Sequence, residues 1–112
     1  MTNASDPGAG LDRPVPATQL VTVQPGAVVS RTLMKQAKGT VTAFAFDAGE
    51  GLSEHTAPFA ALLLDLEGSA DVVVSGQEHE LHSGDMLHLP AGEPHAILAT
   101  TPFKMLLIMI RE

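Results

Sequence analysis

From Gln19 onward the chain alternates short runs of Val, Leu, Ile, Phe and Thr with Gly, Pro and Asp punctuation. Such spacing predicts an antiparallel sandwich or barrel rather than strand–helix–strand units. Strands are expected near Leu20–Val23, Val28–Met34, Gly39–Ala48, Ala61–Glu67, Ala70–Ser75, Gln77–Leu81, Asp85–Leu89, His95–Ala99 and Phe103–Arg111. Turns are expected at Asp47-Ala48-Gly49, Glu67-Gly68, Ser75-Gly76, Ser83-Gly84-Asp85 and Pro90-Ala91-Gly92,. No stretch shows helical periodicity bounded by caps. Ala70–Ser75 is partly apolar on both faces. In the last strand Phe103, Met105, Leu107 and Met109 form one face, and Lys104, Leu106, Ile108 and Ile110 the other. A strand apolar on both sides needs a second covering surface, most simply a partner subunit.

Residues 1–17 mix Gly, Pro, Asp, Ser and Ala and supply little apolar area to offset chain entropy, so a flexible arm is expected there,. Residues 18–112 then form the folded domain, and 112 residues leave room for one core,. Thirteen acidic against six basic residues give a net charge of −7, which argues against nucleic acid and anionic membranes as partners,. The chain has no cysteine, so disulfides, thiolate zinc sites and cysteine nucleophiles are excluded,. The first residues lack both a basic start and an apolar run, and the longest apolar stretches are too short to cross a bilayer,. A soluble, cytoplasmic protein is the expectation.

Two segments carry a specific pattern. One is Gly49-x5-His55-x-Ala57-x3-Ala61-x6-Gly68; the other is Gly84-x5-Pro90-x-Gly92-x2-His95-x3-Ala99, with fifteen residues between them. Together they resemble the cupin superfamily, whose motifs read G-x5-H-x-H-x3-E-x6-G and G-x5-P-x-G-x2-H-x3-N. The glycines, the proline and the outer two histidines match in spacing. The resemblance implies an all-β fold, a jelly-roll barrel or double-stranded β-helix, with a pocket in its mouth. It also implies a divalent metal bound by three histidines and a glutamate. His55 stands at the first ligand position and His95 at the last. Ala57 and Ala61 stand where a histidine and the glutamate are expected, and a methyl group cannot coordinate a metal.

Three acids are candidate substitutes. Asp65 has the parity of Ala57 and Ala61, but lies roughly 13 Å along the strand from Ala61 and belongs to the opposite barrel end. Glu54 points to the other face from His55, and Glu93 is a turn residue that would have to fold inward. His79 and His82 on a strand and its turn point to different sides and read as a solvated edge. His88, between Leu87 and Leu89, faces away from the barrel axis.

With two ligand positions truncated, the pocket widens and becomes more apolar, lined by Ala57, Phe59, Ala61, Leu63, Ile97 and Met105. Two imidazoles converging in an apolar cavity make a small-molecule site even without an ion. The expectation is therefore a homodimeric protein with a degenerate metal site that binds a small molecule. Any divalent ion (Zn, Ni, Fe or Mn) would be weakly held by His55 and His95. The alternative is a metal-dependent enzyme of dioxygenase or isomerase type using the same two ligands. A metal-free role for one imidazole as general acid or base is a third.

Overall fold

The computed structural model describes residues 10–112. A single 3₁₀ turn, Ala17–Gln19, precedes nine strands: β1 (Val28–Gln36), β2 (Gly39–Phe46), β3 (Gly51–His55), β4 (Ala60–Glu67), β5 (Ala70–Val74), β6 (Gln77–Leu81), β7 (Met86–Leu89), β8 (His95–Ala99) and β9 (Phe103–Ile110). They form two antiparallel sheets packed face to face, ordered β1-β2-β9-β4-β7 and β3-β8-β5-β6. This is a one-domain jelly-roll barrel, as the family resemblance implies, and it fits the antiparallel sandwich or barrel that the strand texture predicts. No helix among the described residues is long and apolar enough to cross a membrane.

Alternation decides what is inside. On β4, Ala61, Leu63 and Asp65 face inward; on β9, Phe103 and Met105 do so; on β8, His95, Ile97 and Ala99. With Ala70 and Val72 of β5 and Phe46 of β2 they make the main core. Phe46 and Phe103 pack with ring centroids 5.4 Å apart. Glycine is required where chains turn tightly between the sheets. Gly68 has φ of 82°, and a Cβ there would strike the Pro102 carbonyl, so the β4–β5 corner admits only glycine,.

Two expectations need correction. No strand forms at Leu20–Val23. Leu20 and Val21 are adjacent yet both buried, which a strand's alternation forbids,. The 3₁₀ turn and irregular chain after it let both settle on the outer face of the larger sheet, against Leu33, Ala43 and Ala45. Strand β3 was not expected, because of its five residues only Leu52 packs on the core and the rest are exposed.

The segment around Leu20 also answers part of the question posed by β9. Its outward Leu106 packs against the cluster that Leu20 and Val21 form on this face, as do Val15, Ala17 and Val23 of the N-terminal segment. Lys104 anchors that cover by donating from Nζ to the Thr18 carbonyl at 2.6 Å. Val15 and Ala17 belong to the expected arm at 1–17, whose first nine residues lie outside the described ones. The cover does not extend over the whole face, and Met34, Leu62, Met86 and Ile110 remain exposed. Replacing Leu20→Ala is expected to cost about 2–3 kcal/mol, the lower part of the range for a buried leucine. Urea unfolding checks this, and an unchanged midpoint would show that the segment does not hold the sheet.

Candidate functional site

The two histidines come from neighbouring strands of the smaller sheet. His55 ends β3, His95 begins β8, and the two are register partners. Getting both onto the inner face takes a bulge. Leu52 already faces inward opposite Ile97, so the three steps to His55 are matched by two on β8. One extra residue in the Ser53–Glu54 stretch restores the parity and turns His55 back over the barrel end. Beyond the strands, the Gly92 amide donates to the Ala57 carbonyl at 2.8 Å and ties together the loops that follow His55 and precede His95.

The imidazole Nε2 atoms lie 3.1 Å apart, with ring planes at 73°. Each Nδ1 faces a backbone carbonyl: His55 that of Ser53 at 2.7 Å, His95 that of Glu93 at 3.2 Å. A carbonyl oxygen only accepts, so both Nδ1 atoms carry the proton. In the neutral pair both Nε2 atoms are then lone-pair acceptors crowded within 3.1 Å, the rings meeting edge to face with centroids 4.3 Å apart. That contact is repulsive unless one positive charge, a proton or a metal ion, lies between or beside them. His95 is buried and His55 is exposed. Burial holds the His95 imidazole below its ordinary pKa, the charge of His55 adds to this, and the Glu93 carbonyl opposes it,.

The other positions fall into separate places. Ala61, Leu63, Ile97 and Met105 sit in the packed core below the histidines. Ala57 is half-buried in the loop after β3. Phe59 lies in a different cleft at the rim, with the Arg111 guanidinium 4.5 Å above its ring. None of the candidate acids joins the pair. Glu54 is exposed, Glu93 accepts a hydrogen bond from Ser75 Oγ at 2.6 Å, and Asp65 is at the far end beside the Gly84–Asp85 turn. Among the described residues no three His, Asp or Glu side chains gather as a metal site. His88 faces outward, into a groove of about 240 Å³ with Leu62, Ile108 and Ile110.

Comparison with known proteins agrees with the fold. The cupin-domain family model matches residues 43–110, which is more than half of the chain. The chain belongs to the cupin family. A cupin superfamily protein from Desulfitobacterium hafniense is 32% identical, with 90% of this chain and 93% of that one aligned at a TM-score of 0.86. A conserved protein of unknown function from Streptococcus pyogenes is 29% identical over 90% and 89%, also at 0.86. A cupin 2 conserved barrel domain protein from Leptotrichia buccalis is 36% identical over 84% of this chain and 46% of its own, at 0.81. No curated protein sequence matches.

Asp65 is the other unusual group in this cupin. It is 1% exposed, and no hydrogen bond of good geometry reaches either carboxylate oxygen,. Burial raises its pKa from 3.8 to about 6; the Glu67 backbone N–H lowers it, Asp85 raises it and His82 lowers it. The folded protein therefore holds this proton more tightly than the unfolded chain. The resulting stabilisation is complete below pH 3.8 and is lost as pH rises through about 6,. Asp65→Asn is expected to raise stability at pH 7 and to flatten its decline between those values. Urea unfolding at several pH values checks this, and parallel profiles for the two proteins would contradict it.

Proposed function

We propose that this cupin binds a small organic molecule at the barrel end where His55 and His95 converge. Any divalent ion there is held jointly with that molecule rather than by the protein alone. The observation that carries the reading is the approach of the two Nε2 atoms to 3.1 Å while each Nδ1 lies against a backbone carbonyl. Two nitrogens bound to one ion at about 2.1 Å sit about 3.0–3.4 Å apart, so the pair fits adjacent positions on zinc or a similar metal. Fixing Nδ1–H to a carbonyl also sets the ring orientation that metal-binding histidines use.

The donor set fits half of a metal site. Ala57 and Ala61 add nothing, and resident catalytic ions are normally held by three protein ligands. Oxygen donors of a bound molecule would have to complete the shell, and an ion so placed would act as a Lewis acid on them. The protein's own part is to orient two imidazoles and to close the floor beneath them with Ala61, Leu63, Ile97 and Met105,. The same reading places the protein in the cytoplasm, in line with its acidic, cysteine-free composition.

The reading has a constructive test. Ala57→His with Ala61→Glu adds two donors beside the existing pair. It is expected to tighten zinc binding by at least about a hundredfold, since losing even a group that supports a ligand costs about 10–100-fold. Without metal the variant should be less stable, because a glutamate enters core space now filled by a methyl group. Titration calorimetry decides: a folded double variant with no gain would mean that these positions do not converge with His55 and His95.

We also propose that the chain is a homodimer joined through the outer face of the larger sheet. Support comes from Met34, Leu62, Met86 and Ile110, which leave apolar surface open where the N-terminal segment stops,. Light scattering at micromolar concentration is expected to give twice the chain mass. A single-chain mass would contradict the proposal, and Ile110→Lys should convert the dimer to monomer.

A further inference from the structure

The cleft at the barrel rim that holds Phe59 and Arg111 has no part in the imidazole pair. It measures about 430 Å³, within the range of small-ligand pockets,. Pro58, Phe59, Ala60, Ala91 and Ile110 give it apolar walls, and Arg111 and Glu112 are its charged groups. Its position follows from the topology. Pro58 and Phe59 come from the loop after His55, Ala91 from the loop before His95, and Arg111 directly follows β9. The Arg111 amide donates to the Lys38 carbonyl at 2.9 Å, which fixes the backbone at the mouth of the cleft.

Thirteen acidic residues outnumber six basic ones in the chain, yet among the described residues no carboxylate pairs with the Arg111 guanidinium. The ion pairs go to Arg13, His82 and Lys104 instead. The Arg111 guanidinium lies over the ring of Phe59, 4.5 Å from its centroid. A guanidinium over a ring gains from the charge on the ring face, and its N–H donors are the groups that match two carboxylate oxygens. The ring meanwhile limits the freedom the side chain would lose on binding a ligand.

We propose that this cleft binds a small monocarboxylate, with Arg111 pairing its carboxylate and Phe59, Ala60 and Ala91 covering its apolar body. One negative charge suits the site better than two. Arg111 is the cleft's one cationic group, and Glu112 beside it disfavours a dianion,. The inference rests on this cleft alone and stands apart from any ion at His55 and His95.

Amide-resolved NMR titration of the full chain with benzoate, benzamide and phenyl phosphate tests it. Benzoate is expected to give saturable shifts at Phe59, Ala60, Ala91 and Arg111. Benzamide, of the same shape without the charge, should bind at least about tenfold more weakly, the loss expected when a charged hydrogen bond is replaced by a neutral one. Phenyl phosphate should bind no more tightly than benzoate. Arg111→Gln should erase the preference for benzoate, and Phe59→Leu should weaken benzoate binding; the spectra themselves report whether each variant is folded. His55→Ala should leave benzoate binding unchanged, which separates this site from the histidine pair. Equal binding of benzoate and benzamide, benzoate binding that survives Arg111→Gln, or shifts away from the cleft would overturn the assignment. Tighter binding of phenyl phosphate would overturn the preference for a monocarboxylate, and loss of benzoate binding in His55→Ala would overturn the independence of the two sites.

Discussion

Strand β9 is apolar on both sides, and the molecule is arranged around the need to cover it. It runs between β2 and β4 in the larger sheet, paired along most of its length with each. Its inner residues, Phe103 and Met105 above all, are covered by the smaller sheet, which closes the barrel. Its outer residues are covered in part by the chain's own N-terminal segment, with Leu20 and Val21 as the anchors. Burial of two faces at once makes the register of β9 hard to shift. A slip by one residue would put Lys104 into the core and Met105 outside. The strands flanking it are held in the same register, and so is the barrel end they build.

At that end, rigidity comes from the backbone rather than from a shell of side chains. The carbonyls of Ser53 and Glu93 fix the two imidazoles, and the Gly92–Ala57 hydrogen bond ties their loops. What results is two ring nitrogens crowded at 3.1 Å in a partly buried place. Ala57 and Ala61, at the other two motif positions, bring no further donor to them. Asp65 poses a related question at the far end of the barrel. Its burial costs stability at neutral pH, yet it stands too far along β4 to help the histidines.

Much of this was readable in the sequence, and the failures have physical causes. Glycine spacing marked the corners because a positive φ and a close carbonyl leave no other residue there, as at Gly68. The alternating faces of β9 and the outward His88 followed from strand parity alone. Strand β3 was invisible because Ser53, Glu54 and His55 are exposed and carry no apolar alternation, and the bulge that re-aims His55 leaves no residue-type signal. Leu20–Val23 looked like a strand because apolar content does not distinguish a strand from irregular chain lying across a sheet. Phe59, counted with the barrel lining from the sequence, instead carries Arg111 at the rim. That pairing joins residues more than fifty positions apart, which no local pattern encodes.

The account turns on the protonation of the two imidazoles, and long-range proton–nitrogen NMR of the histidine side chains reads it directly. In the metal-free protein above neutral pH, His55 and His95 are both expected in the Nδ1–H form, with Nε2 unprotonated. Adding zinc together with an oxygen-donor chelator should then move both Nε2 resonances at once. If one ring instead carries its proton on Nε2 and donates it to the other, the pair is an ordinary hydrogen bond, and the claim that it is poised for a cation is wrong.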